Sequence, residues 1–263
     1  MIRLGILGWL AVGLLLNVPG AQAAVSLSGT RLIFDGNFRE VSIEVVNRSN
    51  HEVLLQAWLS DAEDIDADQS NDLPFAVTPH LSQLSANRKQ ALRLLYEGVG
   101  RPLQRESLLH LYVMEIPRRA AGENQLSIAI RQRINVFYRP PGLSGDPAQT
   151  AEALLWSVMR DEEGASFLRV SNPTAYHASL QHVQLDGANG KHLVSDYQLL
   201  PPGVTLSLPL GAVAPGNPGW HHLSFKALTD YGGPRYYSAE VEERLPFNAR
   251  LRPTAAFIKD VQP

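Results

Sequence analysis

Alternation of apolar and polar residues with a period of two dominates this chain. Apolar side chains occupy every second position in 41–45, 126–130, 204–208 and 223–227. A β-strand turns successive side chains to opposite faces, so this spacing indicates strands with one buried face. Turn-forming sequences rich in Asn, Asp, Gly and Pro separate the runs, and no long amphipathic helical pattern interrupts them. The pattern predicts an all-β chain of sandwich type.

A proline-rich stretch at 139–147 divides the chain. Proline has no backbone N–H, so this stretch cannot continue a central strand and is typical of a stiff linker. On each side lie roughly 100–120 residues, the size of one seven-strand immunoglobulin-like sandwich. The predicted layout is a first domain at 24–141, a linker at 142–148, a second domain at 149–245 and a tail at 246–263.

Residues 1–23 have the pattern of a signal peptide. A basic start is followed by the apolar run Leu4–Val18 and by small residues at Ala21 and Ala23. The apolar run has about 15 residues, fewer than the roughly 20 that span a bilayer, which favours a cleaved signal over a retained anchor. We therefore expect an exported protein that is not inserted in the membrane after signal cleavage.

Composition excludes several kinds of function. The formal net charge is −3 and charged residues make up 19 % of the chain, so there is no basic excess to attract nucleic acid. The chain has no Cys, which rules out thiol catalysis, disulfide exchange and zinc sites with Cys ligands. Apolar residues make up 44 %, enough for two real cores.

Candidate metal and catalytic motifs fail on spacing. Asp64, Asp66 and Asp68 match the first ligand positions of an EF-hand loop, but Gln69 replaces the turn glycine and Phe75 the closing Glu. We interpret this stretch as a solvated acidic loop. The sequence contains no HExxH, no G-x-S-x-G and no phosphate-binding glycine loop. We expect no catalytic residue, no metal site and no cofactor, so binding is the remaining task.

The segment 126–130 carries bulky alternating residues, Leu126, Ile128 and Ile130, next to a polar loop at 118–125. One interpretation is a central strand whose apolar face covers its own core. The other is an edge strand that pairs with another chain, in which backbone hydrogen bonds give affinity and alternate side chains give specificity.

Several sequence blocks, in fixed order from residue 24 to residue 233, bear on this choice. They are Ala24–Leu27 with Thr30–Gly36, Gln56-Ala57-Trp58, Arg105–Leu108 with Met114–Pro117, Asn135–Pro140, and Asn172-Pro173-Thr174 with Asp230–Gly233. Together they resemble the periplasmic pilus-assembly chaperones of the chaperone–usher pathway, the PapD-like family. Each block alone is weak, and the ordered set is specific.

The resemblance implies two immunoglobulin-like domains in a boomerang arrangement and a periplasmic, non-enzymatic chaperone. Its partners would be pilin subunits and an outer-membrane usher. The family lends a strand to an incomplete pilin, and Leu126, Ile128 and Ile130 match that donor strand. The connection before it is short, as in the subclass with a short loop.

The resemblance also assigns an anchor for the C-terminal carboxylate of the pilin. Arg31 matches the family arginine, whose planar fork suits a carboxylate. The family lysine is replaced by Asn135, which carries no charge. Arg133 lies two residues earlier, on the same face of a regular strand and roughly 7 Å away. We hypothesise that Arg133 supplies the missing charge.

Glu106, Arg139 and Asp230 match a family charge network that sets the angle between the domains. The alternative function is an exported structural or adhesive sandwich subunit. Such a subunit carries an N-terminal extension to donate and lacks the Arg31 and Arg139 pattern, whereas here the first strand is predicted to begin almost at Ala24.

Overall fold

The computed structural model describes residues 25–62, 73–117, 128–163, 165–188, 190–210, 219–242 and 245–253. Regular structure in these ranges is almost entirely β, and the strands form two sandwiches. The predicted fold class is therefore confirmed. None of the helices within these ranges has the length and hydropathy to cross a bilayer. The predicted signal peptide at 1–23 lies outside the described residues.

The first sandwich packs a four-stranded sheet, in the order β1-β3-β7-β5, against a five-stranded sheet, in the order β2-β9-β8-β4-β6. Its strands are β1 (Val25–Leu27), β2 (Arg31–Asp35), β3 (Glu40–Asn47), β4 (Val53–Asp61), β5 (Phe75–Thr78), β6 (Leu81–Leu84), β7 (Lys89–Tyr96), β8 (Ser107–Pro117) and β9 (Ile130–Arg139).

The second sandwich follows a 3-10 turn (Pro147–Gln149) and a one-turn helix, α1 (Thr150–Ala153). Its sheets have the orders β10-β11-β14 and β13-β12-β15-β16-β17. The strands are β10 (Leu155–Arg160), β11 (Ser166–Ser171), β12 (Ala178–Gly187), β13 (Gly190–Leu200), β14 (Thr205–Pro209), β15 (His222–Leu228), β16 (Pro234–Glu240) and β17 (Arg250–Leu251).

The start of the chain switches between the two sheets of the first sandwich. β1 pairs with β3, antiparallel, in one sheet. After Ser28, Gly29 and Thr30 the chain crosses over, and β2 joins the other sheet beside β9. The β2–β9 pair is parallel, whereas the other strand pairs among the described residues are antiparallel. This parallel pair positions the site described below.

Each sandwich has its own core, built from the alternating apolar residues that the sequence pattern predicts. In the first, Phe34 is fully buried and packs edge-on against Phe75 and Tyr138, with ring centroids 5.7 and 5.8 Å away. In the second, Trp156 is fully buried and lies 5.1 Å from Phe225. Burying one such large apolar side chain is worth roughly 1.5–3 kcal/mol, so the two cores provide most of the stability.

Buried asparagines close equivalent turns in the two domains. The Asn47 side-chain amide donates to the carbonyls of residues 51, 84 and 85, and the Asn172 amide donates to those of residues 176, 200 and 201. Each amide therefore satisfies turn carbonyls that would otherwise be buried without a donor. In the second domain this turn also fixes the backbone just before His177, which meets the first domain.

The prediction of a tail from residue 246 is wrong for residues 247–251. Phe247 is buried and exchanges backbone hydrogen bonds of 2.8 and 2.9 Å with Trp156. Ala249 is buried in the same core, and β17 pairs with β16 at Tyr237 and Ser238. A large aromatic ring and a paired backbone stabilise this short piece although it has no alternating pattern. Residues 254–263 lie outside the described part.

Candidate functional site

β9 is the strand on which the predicted site residues converge. On one side it pairs with β8 from Ile130 to Tyr138. On the other side it pairs with β2, but only from Asn135 to Arg139. Among the described strands, the stretch Ile130–Ile134 thus has a partner on the β8 side alone. Its backbone groups on the other side form an open edge, which in an isolated protein invites pairing with another chain.

The two faces of β9 have different tasks. Ile134, Val136 and Tyr138 point into the core of the first domain. The opposite face carries Arg131, Arg133, Asn135, Phe137 and Arg139, because side chains alternate along a strand. The cationic and polar candidates therefore share one face, and Ile130, the donor candidate on β9, lies on the other.

The donor candidates lie at the start of the open edge. Ile130 begins β9 with 36 % of its surface exposed, and Ile128, two residues earlier, is 63 % exposed. Both lie outside the domain's own core, and Gln132 separates Ile130 from the buried Ile134 on the same face of β9. This placement favours the edge-strand interpretation over a central strand. Leu126 lies outside the described residues.

The first strand is tied to the same region by two side chains that the sequence did not single out. The Val25 N–H donates to Oε2 of Glu115 at 3.2 Å, and the Val25 carbonyl accepts from Nε2 of Gln132 at 2.8 Å. Glu115 is buried. These contacts hold β1 against β8 and β9 next to Ile130, at a sequence separation that no local pattern reveals.

Arg31 opens β2 and lies directly opposite Asn135. Its guanidinium carbon is 5.5 Å from the centre of the Phe137 ring, and its Nε is buried without a hydrogen-bond partner in the described structure. Burial lowers the pKa of Arg31, while the neighbouring Tyr197 and Asp230 act in the opposite direction. An arginine remains cationic at neutral pH even so, because its ordinary pKa lies far above neutrality.

Two cavities meet at Arg31. One, of about 320 Å³, lies between the domains and is lined by residues that include Phe137, His177 and Asp230. The other, of about 440 Å³, is lined by residues that include Ser28 and Tyr231. A half-buried cation with an unused N–H between two cavities can receive an anionic group.

The structure places the other two anchor candidates on the same face as Arg31. Asn135 lies between Arg31 on β2 and His110 on β8. Arg133 is exposed and lies opposite Tyr112, one alternation nearer the open end of β9. The geometry brings Arg31 and Asn135 side by side and sets Arg133 roughly 7 Å further along the strand.

The three charged residues assigned to the interdomain network are in direct contact. Arg139 Nε donates to Oε1 of Glu106 at 2.7 Å, and its two terminal nitrogens donate to the Asp230 carboxylate at 2.6 and 2.7 Å. The Glu106 side chain is 1 % exposed and that of Arg139 17 %. Burial alone would lower the pKa of Arg139, but the hydrogen bonds and charges of both carboxylates raise it. The guanidinium is thus a fixed charge that joins the two domains.

His177 is a fourth member of this network. Its backbone N–H and its Nδ1 both lie within hydrogen-bond distance of Oε2 of Glu106, at 2.7 and 2.8 Å, and its ring packs on Phe137. The Glu106 N–H donates to the carbonyl of Ala175 at 2.8 Å. Glu106 therefore contacts the second domain through Oε2 and its backbone N–H, while Oε1 binds Arg139 of the first domain. No sequence signal marked His177, since 71 positions separate it from Glu106.

A glycine allows the turn that carries Asp230 to approach the first domain. Gly232 has φ +81°, a left-handed conformation, and a Cβ there would lie 2.6 Å from Oγ1 of Thr30. Gly203 has a similar φ of +72°, but a Cβ added to Gly203 would have no neighbour within 4 Å. The two glycines share the backbone requirement, and Gly232 alone of the pair has a close contact across the domains.

We expect Gly232→Ala to destabilise the protein more than Gly203→Ala does. Both variants incur the left-handed cost, roughly 1–2 kcal/mol, but only the first also displaces Thr30. Urea unfolding of the two variants measures the difference, and adding Thr30→Ala to Gly232→Ala should recover it. Equal losses in both glycine variants would show that the Thr30 contact has no effect on stability.

In the part of the chain that the structure describes, three or more His, Asp or Glu side chains nowhere come together as a cation site requires. The polar groups that do converge are the half-buried guanidinium of Arg31, the amide of Asn135 and the ion-pair network. Their chemistry suits recognition of a carboxylate and fixation of domain geometry.

Comparison with known protein families gives two matches that together span most of the chain. Residues 24–144 match the family described as "Pili and flagellar-assembly chaperone, PapD N-terminal domain". Residues 149–239 match "Pili assembly chaperone PapD, C-terminal domain".

Individual relatives agree with these matches. The chain is 33 % identical over 217 residues to the probable fimbrial chaperone YadV of Escherichia coli K12, covering 80 % of this chain and 87 % of that one. It is 32 % identical over 248 residues to the chaperone FimB/FhaD of Bordetella pertussis, covering 92 % and 98 %. The crystal structure of the YadV chaperone superposes with a TM-score of 0.69 at 29 % identity, over 83 % of this chain and all of that one.

Proposed function

The chain belongs to the PapD-like family of pilus-assembly chaperones, and from this premise we propose that it captures pilin subunits through the open edge of β9. Members of the family are non-enzymatic folding and assembly chaperones, and this chain is one of them. The likeness to named fimbrial chaperones excludes the alternative of a structural or adhesive subunit.

One observation carries the proposal: β2 covers β9 only from Asn135 onward. A client strand can pair with Ile130–Ile134 but cannot pass Arg31, where β2 begins. A strand that runs parallel to β9, as β2 does, ends there with its C-terminus. Its terminal carboxylate then meets the guanidinium of Arg31, with which it forms charge-assisted hydrogen bonds.

The side chains of the donor region supply the second part of the interaction. A sandwich that lacks one strand has a groove where alternating apolar residues of that strand would lie. Ile128 and Ile130 are exposed and bulky enough to enter such a groove, and Leu126 continues their spacing. The backbone edge provides affinity and these side chains provide fit, as in other forms of β-augmentation.

The remaining steps are proposed from the family. The chaperone works in the periplasm after signal cleavage, keeps the pilin folded without ATP and delivers it to an outer-membrane usher. There the pilin exchanges the chaperone strand for the strand of a neighbouring subunit.

We expect the double variant Ile128→Ser and Ile130→Ser to lose about tenfold or more in pilin capture. Each replacement removes most of an apolar side chain worth roughly 1–2 kcal/mol when buried in the client, while the backbone edge remains. The test is co-expression with the pilin of its own gene cluster and measurement of the pilin recovered in the periplasmic complex.

Leu81→Ser is the matched control, because Leu81 is a half-exposed leucine on β6, at the opposite edge of the same sheet. The control should retain capture. Equal capture by the double variant and by Leu81→Ser would overturn the assignment of the donor edge.

A further inference from the structure

Three residues on neighbouring strands form a row across the outer face of the first domain. Arg31 on β2 is opposite Asn135 on β9, and Asn135 is opposite His110 on β8. Directly opposite residues on neighbouring strands lie on the same face, with strands about 4.8 Å apart. His110 therefore lies two strand spacings from Arg31, with the uncharged Asn135 between them.

The two ends of this row have unused hydrogen-bonding groups. Nδ1 of His110 and Nε of Arg31 are both buried without a hydrogen-bond partner among the described residues. Buried polar nitrogens are rarely left unpaired in folded proteins, and such groups call for an explanation. Here both belong to one row, at the point where the open edge ends.

Charged groups from two strands act on His110: the cation Arg133 on β9 and the carboxylate Asp61 on β4. Asp61 is engaged by Arg101 at 2.6 Å. On β8 itself, the ring of Tyr112 lies edge-on to the imidazole at 6.3 Å. Burial and then Arg133 lower the pKa of His110, and Asn135 and Asp61 oppose them only in part. The imidazole is thus neutral at neutral pH in the empty chaperone.

We propose that His110 is the third member of the carboxylate anchor and takes up a proton from solvent when a client's C-terminal carboxylate docks on Arg31. This proposal rests on the function proposed above and adds its regulation. The imidazolium supplies the positive charge that Asn135 lacks, and the amide of Asn135 bridges the two cations. Client capture then depends on pH at this one residue.

The sign of the dependence follows from linkage. A carboxylate nearby favours the charged imidazole, so the pKa of His110 is higher in the complex than in the free chaperone. Binding is then strongest at low pH and weakens as the pH rises through the pKa of the complex. A rise of one pKa unit on binding corresponds to about a tenfold change in affinity.

The test uses the full mature chain and a synthetic 12-residue peptide with alternating apolar residues, in free-acid and amidated forms. We expect the free-acid peptide to bind about tenfold more tightly at pH 5.5 than at pH 7.5, a range that brackets an ordinary imidazole pKa. In His110→Gln the free-acid peptide should bind with nearly the same affinity at both pH values. NMR of the labelled protein should show the imidazole of His110 titrating at higher pH with the free-acid peptide bound.

His51→Gln is the control for a general effect of histidine removal, because His51 is an exposed loop residue whose ring contacts Asn50. It should leave the pH dependence unchanged. Asn135→Lys restores a permanent charge, so this variant should bind the free-acid peptide tightly and without pH dependence. If His110 only supported the fold, a charge at position 135 would not abolish the pH dependence of binding.

Three outcomes would overturn the role of His110 while leaving capture at the open edge intact. The first is a pH dependence that persists in His110→Gln, and the second is one that appears equally with the amidated peptide. The third is an equal loss of affinity at both pH values in His110→Gln, which would mark His110 as a purely structural residue. If neither peptide form binds the wild-type chain at any pH, the proposed capture at the open edge fails, and the role of His110 fails with it.

Discussion

Arg139→Ala should destabilise the protein by about 3–5 kcal/mol, the largest effect on stability that we expect for a single surface-accessible charge. The substitution removes the guanidinium that binds Glu106 of the first domain and Asp230 of the second. The buried Glu106 carboxylate then keeps only its contacts with His177 from this network. Glu106 cannot be rehydrated without separating the domains, because its side chain is 1 % exposed. Urea unfolding measures the loss, and small-angle scattering reports whether the angle between the domains becomes variable.

Lys89→Ala provides the comparison for Arg139→Ala. It removes an ion pair of similar length, Lys89 with Glu44 at 2.8 Å, but both partners are well exposed. Such surface pairs contribute about 0–1 kcal/mol, so this variant should unfold almost as the wild type does. If Arg139→Ala unfolds at the same urea concentration as Lys89→Ala, the network does not hold the domains together. We also expect lower periplasmic abundance of Arg139→Ala, because the unfolded fraction is open to proteolysis.

Arg31→Ala should weaken pilin binding by about 2–5 kcal/mol, which is at least about 30-fold in Kd. The variant leaves the client's terminal carboxylate at a half-buried position without its charged partner. The affinity of Arg31→Lys should fall between those of the wild type and Arg31→Ala, because the ammonium keeps the charge but not the planar fork. Calorimetry with a purified pilin measures the affinities, and circular dichroism checks that the variants are folded.

Arg48→Ala is the matched control, since Arg48 lies on the same domain and its Nε donates to Oγ of Ser26 at 2.8 Å on the surface. It should bind pilin as the wild type does. Arg133→Ala tests the hypothesis that Arg133 replaces the family lysine, and unchanged binding by that variant would remove it. Wild-type affinity in Arg31→Ala would contradict the anchor itself.

The alternating pattern predicted the strands well where one face is buried on the domain's own core. Residues 41–45 and 223–227 lie on β3 and β15 with their apolar faces inward. In the 126–130 run the same pattern has a different meaning, since Ile128 and Ile130 are exposed. Periodicity alone could not distinguish these cases, because it records only that one face is apolar, not which molecule covers it.

Contacts between distant parts of the chain were the features that the sequence could not provide. The charged trio Glu106, Arg139 and Asp230 was named from the family resemblance and is in contact in the structure. His177 and the Glu115 contact to Val25 were missed, because their partners are 71 and 90 positions away. Phe247 was placed in a tail because the segment from residue 246 has no alternating pattern, yet its buried ring and its backbone hydrogen bonds to Trp156 hold it on the second domain.

The start of β2 has a consequence for the length of any client strand. From Asn135 back to Ile130 the open edge spans five positions, roughly 17 Å at strand spacing. A client measured from its terminal carboxylate has only this distance in which to place its apolar residues, and a slip of one position would turn them to the wrong face. Selection would therefore act on how far the apolar residues lie from the chain end. We infer that clients of unrelated sequence can share one chaperone when their apolar residues lie at the same distance from the C-terminus.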